Sequence, residues 1–187
     1  RQIAEHSGNP RGPIKSIAIL PFRPISDEGR IDVLELGMAD TLISRFGKIK
    51  DLEVRPLSSV LNFRGPDHDA VAVGKALNVD LVLEPNLQRL GERIRVNVRL
   101  IRVADGFVIW TDTINESSSD LLGVQDKIAA RILNSVPFEL SGEERLLLGK
   151  RSTNSSDAYE YYLYGRQNAL KGTKEGIRSA IASYEKA

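Results

Sequence analysis

His68 is the residue of this sequence best placed for acid-base chemistry, because Asp67 and Asp69 flank it in the loop 64–69. An imidazole changes charge near neutral pH, and a neighbouring carboxylate can orient the ring and stabilise its charged form. The other histidine, His6, lies in a stretch rich in glycine and proline. Neither has a hydroxyl or thiol nucleophile, or a second imidazole, at a spacing that builds a catalytic pair. A solvated loop is therefore the favoured reading of His68.

The sequence has no cysteine. That excludes thiolate nucleophiles, disulfides and cysteine-ligated zinc, and it leaves the redox compartment open. The phosphate-cradling patterns GxGxxG and GxxxxGKS/T, the HExxH zinc helix, the GxSxG elbow and the calcium loop do not occur. The reading is a chain that is not an enzyme and takes neither metal nor cofactor.

Charge offers a second kind of chemistry. Arg93, Arg95 and Arg99, with Arg89 and Arg102 nearby, form a basic stripe suited to an anionic partner. Against nucleic acid, the stripe has no interleaved aromatics to stack bases, and Glu84, Glu92 and Asp112 share the segment. Globally, 26 Lys and Arg against 25 Asp and Glu leave a formal charge of +1, so no overall field attracts nucleic acid or acidic lipid. A solvated strand face is favoured for the stripe. Tyr159, Tyr161, Tyr162 and Tyr164 form a third cluster, with Arg166 close by, of the kind that serves protein interfaces. Trp110, set among Val108, Ile109 and Ile114, reads as core.

These groups need elements to hold them. With 187 residues, 41% of them hydrophobic, the chain can bury an ordinary core. Residues 1–15 read as a linker. Residues 16–22 (SIAILPF) suit a buried strand, and Leu34, Met38, Leu42, Phe46 and Ile49 recur at helical spacing over 32–49. A second strand is expected over 52–57, then a loop over 58–69 and a helix over 69–77. Residues 79–90, 93–103 and 107–114 read as a three-stranded meander with turns at Gly91-Glu92 and Asp105-Gly106. Within it Ile94, Val96, Val98 and Leu100 take one face, and Arg93, Arg95, Asn97 and Arg99 the other. A helix follows from Leu121 until Pro137, and Ser141 with Glu144 makes a capping box for the next. Residues 150–156 read as a hinge to a helical pair over 157–170 and 174–187. The fold class is α/β (α+β): a mixed sheet with an antiparallel meander and packing helices over 16–150, then a helical hairpin over 151–187. No apolar run approaches the roughly 20 residues of a membrane span.

The order of elements resembles the TolB-like amino-terminal domain family of bacterial envelope proteins and membrane-tethered regulators. The residues that carry it are IAILPF at 17–22, LGMADTLISRF at 36–46 and the helix-plus-meander segment 72–114, with its Asp105-Gly106 turn and Trp110. Ser58 and Ser59 sit where members often carry serines. Pro85 stands where relatives commonly have glycine; since proline cannot donate to a ladder, an edge position or a bulge is expected there. Residues 157–187 resemble a first tetratricopeptide unit, with Tyr164-Gly165 in its first helix and Ala180, Tyr184 and Ala187 in its second. Such a unit cannot bury its apolar face alone, so further repeats beyond Ala187 are expected.

The resemblance implies a non-catalytic sensory or interaction module of a membrane-tethered signalling protein, such as a CadC-like transcription factor or a receptor kinase. The alternative is a constitutive envelope scaffold. It further implies a protein or small signal molecule as partner, with a homodimer possible, and nucleic acid or membrane contact only through parts upstream. Placement would be on the extracytoplasmic side of an inner membrane, with the cytoplasm as the alternative. The candidate interaction surface comprises Arg93, Arg95, Arg99, Ser58, Ser59, Arg64, Tyr159, Tyr162 and Arg166.

Overall fold

A computed structural model describes residues 14–25, 32–63, 68–135, 141–149, 153 and 155–187. The expected linker (apart from Ile14 and Lys15), Arg64, the Gly65-Pro66 breaker, Asp67 and Pro137 lie outside the described residues, as does most of the stretch expected to be a hinge.

The described residues form a mixed sheet of six strands with seven α-helices. The strands are β1 (Ser16–Ile19), β2 (Arg23–Pro24), β3 (Glu53–Val54), β4 (Leu81–Leu90), β5 (Arg93–Arg102) and β6 (Val108–Ser117). They lie in the order β3-β1-β4-β5-β6, and β2 pairs with β4 beyond the end of β1. β1 runs parallel to β3 and β4, whereas β4, β5 and β6 form the expected antiparallel meander. The first hairpin turns on two residues, with Gly91 at a φ of 60°, a left-handed conformation that glycine adopts without a Cβ penalty. Asp80 ties the sheet together at its start: its Oδ2 accepts from the backbone N–H groups of Lys15 and Ser16, each at 2.9 Å.

The helices are α1 (Asp32–Phe46), α2 (Leu57–Val60), α3 (Ala70–Leu77), α4 (Leu121–Ser135), α5 (Gly142–Gly149), α6 (Ser156–Leu170) and α7 (Lys174–Tyr184). α4 covers the sheet face that carries Ile94, Val96, Val98, Leu100 and Ile114. Its Lys127 and Arg131 form ion pairs with Glu116 and Asp112 of β6. α1 packs beside α4, joined by an Arg45–Asp126 ion pair at 2.7 Å and a buried hydrogen bond from Gln125 Nε2 to the Met38 carbonyl. α3 lies over one end of the opposite face, where a Cβ on Gly74 would stand 2.9 Å from Val82 Cγ2.

Three expectations need correction. The strand over 52–57 shrinks to β3, because Pro56 has no N–H to donate and instead precedes a helix, where its fixed φ is favourable. The expected loop after it begins with α2 and a 3-10 turn over Leu61–Phe63. Pro85 is neither on an edge strand nor at a bulge: it lies in central β4 opposite Val98, in an unbroken β4–β5 register. The Leu83 carbonyl accepts from Leu20 and the Leu87 carbonyl from Ile25. By strand alternation the Pro85 nitrogen then faces the gap between the β1 and β2 pairings with β4. The irregularity of the meander falls at Leu100/Ile101, between β5 and β6.

Candidate interaction surface

The alternation of β5 and the β4–β5 register together build an open polar face. Glu84 lies opposite Arg99, Asn86 opposite Asn97 and Gln88 opposite Arg95. On the other side of β5, Arg99, Asn97 and Arg95 face Thr111, Thr113 and Asn115. Beyond the part sheltered by α3, no helix of the described residues makes a side-chain bond to this face.

The basic stripe is structured by its partners. Arg99 donates from Nε and Nη2 to Glu84 Oε2 at 3.0 and 2.5 Å. Arg23 of β2 donates from Nη2 to Glu84 Oε1 at 3.3 Å and from Nε to Asn86 Oδ1 at 3.1 Å. One nearly buried carboxylate thus bridges two guanidinium groups across three strands. Burying a charged group costs less when opposite charges and hydrogen bonds replace the lost solvation. Farther along, Arg95 donates from Nε to Asn115 Oδ1 at 2.8 Å, and Thr113 donates to Asn97 Oδ1 at 2.9 Å. At the hairpin end, Leu90, Arg93, Ile94, Arg95 and Asn115 line a shallow cleft of about 300 Å³. Leu90 is half exposed there, so the face combines an apolar contact point with two arginines.

His68 lies at the other end of this face, in a niche with Leu20, Pro21, Arg23, Phe63, Glu84 and Pro85 whose volume, about 20 Å³, is that of a single water. Its ring meets Phe63 edge-on at 5.6 Å. Asp69 does not serve as the orienting carboxylate: its Oδ1 caps α3 by accepting from the Val71 N–H at 3.0 Å.

The remaining candidates lie elsewhere. Ser58 is exposed and Ser59 half-buried on α2, which packs against β1 and α1. Tyr159, Leu163 and Arg166 form a stripe that docks α6 on α1. Tyr159 is buried and donates to Thr41 Oγ1 at 3.3 Å, while Leu163 is fully buried against Gly37. Arg166 forms an ion pair with buried Asp40. Burial raises the Tyr159 phenol well above its ordinary range and also raises that of Tyr162. Tyr162 stacks on Tyr159 at 6.3 Å and meets Tyr184 of α7 at 6.0 Å. Tyr159 and Tyr162 therefore pack within the chain, and the eight described candidates do not form one surface. Sequence reasoning gives Glu84 only as a charge in the same segment as the stripe, not as its bridging partner, and it misses Arg23 and Asp40. The cue for Glu84 was a lone acid within a strand of apolar residues; Arg23 and Asp40 gave none without knowledge of what packs against them.

Among the described residues no group of three or more His, Cys, Asp or Glu is arranged to hold a metal. No helix among them is long and apolar enough to cross a membrane.

A curated Rhizobium meliloti (strain 1021) protein named "Putative adenylate cyclase 3" is 28% identical over 163 residues, covering 87% of this chain and 28% of its own length. The chain thus spans just over a quarter of that relative. Among solved structures, lipoprotein GNA1162 from Neisseria meningitidis matches with a TM-score of 0.47 at 17% identity, over 64% of this chain and 99% of that one. TolB from Acinetobacter baumannii matches with a TM-score of 0.46 at 14% identity, over 67% of this chain and 29% of that one. The sequence profile of the HilA/YgeH-like transcriptional regulator, second domain, matches residues 14–131. That match takes in the whole sheet and helices α1 to α3, with most of α4, and on it the chain belongs to the HilA/YgeH-like transcriptional regulator second-domain family.

Proposed function

We propose that this chain is the non-catalytic signal-input module of a bacterial transcriptional regulator, and that it binds a protein partner on the open sheet face. The observation that carries the reading is the cleft at the hairpin end, where half-exposed Leu90 lies among Arg93, Arg95 and Asn115. An apolar contact ringed by hydrogen-bonding cations suits a protein surface. The pairing of Arg99 with Glu84 and of Arg95 with Asn115 weighs against a phosphate backbone as ligand, because those donors are already engaged.

The finer reading follows the resemblance of the sequence to the TolB-like amino-terminal domain family. A CadC-like arrangement would place the output domain and a membrane span upstream, with this module extracytoplasmic and the helices from about residue 151 opening a tetratricopeptide array. Partner binding, of a protein or a small signal molecule, would shift the orientation or pairing of modules. The Rhizobium relative's name supports a second setting, in which the same kind of module regulates a nucleotide cyclase.

The test is reporter transcription driven by the intact polypeptide across osmotic, acid and envelope stresses. Leu90→Ser/Arg93→Ser/Arg95→Ser is expected to abolish the stress-dependent change while basal transcription and folding are kept. A triple variant that responds like the parent would end the reading.

A further inference from the structure

α6 has a second face that its docking on α1 leaves free. Tyr159, Leu163 and Arg166 point to α1, whereas Asp157, Glu160, Tyr161 and Tyr164 follow the i, i+3, i+4, i+7 spacing of a different helix face. They line an open cleft of about 220 Å³. Tyr161 and Tyr164 are 39% and 37% exposed, high for two neighbouring aromatic rings. Asp157 and Glu160 are exposed, and neither takes part in an ion pair among the described residues. The chain itself shows what this surface accepts: the ammonium of Lys186, at the end of α7, lies over the Tyr161 ring at 5.4 Å from its centroid.

From these observations we infer that the outer face of α6 is a docking site for lysine or arginine side chains of a protein partner. Aromatic faces attract organic cations through their quadrupole, and adjacent carboxylates supply the counter-charge. The same carboxylates repel an anionic lipid surface or a phosphate backbone. An open cleft holds one cation weakly, so the fitting partner is a segment that presents more than one basic side chain. Lys186 occupies one ring and acts as an internal competitor. The site is separate from the open sheet face and does not depend on its role.

The test is fluorescence anisotropy of a labelled hexalysine peptide titrated with the 187-residue chain at low salt, against a hexaglutamine control. Tyr161→Leu/Tyr164→Leu is expected to weaken binding about ten-fold, and Tyr161→Phe/Tyr164→Phe to keep it within about two-fold, because phenylalanine retains the ring quadrupole. Asp157→Asn/Glu160→Gln should also weaken it about ten-fold, whereas Glu175→Gln, an exposed acid on α7, should change nothing. Lys186→Ala should tighten binding about three-fold by clearing the Tyr161 ring. Any of three results overturns the inference: hexalysine binding no better than hexaglutamine, equal binding by all the variants, or self-association of the chain that Tyr164→Lys abolishes. The last would make a second copy the occupant.

Discussion

Gly37 of α1 and Leu163 of α6 meet so closely that a Cβ at position 37 would stand 2.6 Å from Leu163 Cδ2 and 3.2 Å from its Cβ. A glycine within a helix costs about 1 kcal/mol relative to alanine, so here helix propensity is given up for close approach. Gly37→Ala should therefore be near neutral, its propensity gain offset by displacement of Leu163. Gly37→Leu has no such room and should release α6 while the sheet stays folded. Limited proteolysis near residues 150–155 would read this as cleavage at least ten-fold faster. Wild-type resistance in Gly37→Leu would show that the two helices do not need this contact.

Asp40 and Arg166 hold the same joint by charge. The Asp40 carboxylate is 6% exposed and the Arg166 side chain 37%; Asp40 Oδ2 meets Arg166 Nη2, and among the described residues Arg166 Nε is buried without a hydrogen-bond partner. Removing the guanidinium strands a buried carboxylate, so Arg166→Met should cost about 3 kcal/mol. Asp40→Asn should cost less, because the half-exposed arginine regains water. Chemical denaturation of the two single variants and the double variant should give a coupling energy above about 1 kcal/mol. Additive losses would mean that the pair contributes nothing as a pair.

What could be read from the sequence was whatever repeats with a period. The alternation from Arg93 to Leu100 marks the strand and its two faces, and the expected three-stranded meander forms, over Leu81 to Ser117. Contacts between distant segments were not legible. β2 is two residues long, too short for any period, yet it delivers Arg23 to Glu84 across 61 positions. The tyrosines of α6 looked like an exposed interface because a cluster of amphipathic rings suggests one. The close approach of α6 to α1 at Gly37 instead buries Tyr159 against α1.

The bridge from Arg23 through Glu84 to Arg99 makes its own prediction. Glu84→Ala leaves two guanidinium groups facing each other, and their side chains, 30% and 47% exposed, can recover only part of their hydration. A loss of about 2 kcal/mol is expected. Arg99→Ala leaves Arg23 on the carboxylate and should cost about 1 kcal/mol or less, since it removes the more exposed partner. Urea unfolding midpoints would test the order. If Arg99→Ala were the more damaging, the carboxylate would depend on Arg99 alone.

Glu144 predicts how the chain responds to acid. Its Oε1 accepts from the Lys50 N–H at 2.8 Å, and its Oε2 accepts from the Ser141 N–H and hydroxyl at 2.8 and 2.7 Å. The capping box at the start of α5 is thereby also a tether to the turn after α1. The Lys50 N–H, then the two Ser141 donors, lower its pKa from 4.5 to about 2. A carboxyl with a depressed folded-state pKa stabilises the fold fully above its unfolded value and loses that stabilisation as pH falls through the folded value. The contribution should therefore hold above pH 4.5 and disappear toward about pH 2. The thermal midpoint of the parent chain should exceed that of Glu144→Gln by a constant margin above that window, and the margin should close within it. A carboxyl carbon-13 titration placing the Glu144 midpoint at its ordinary 4.5 would show that the carboxylate is solvated and that α5 is not held to the turn.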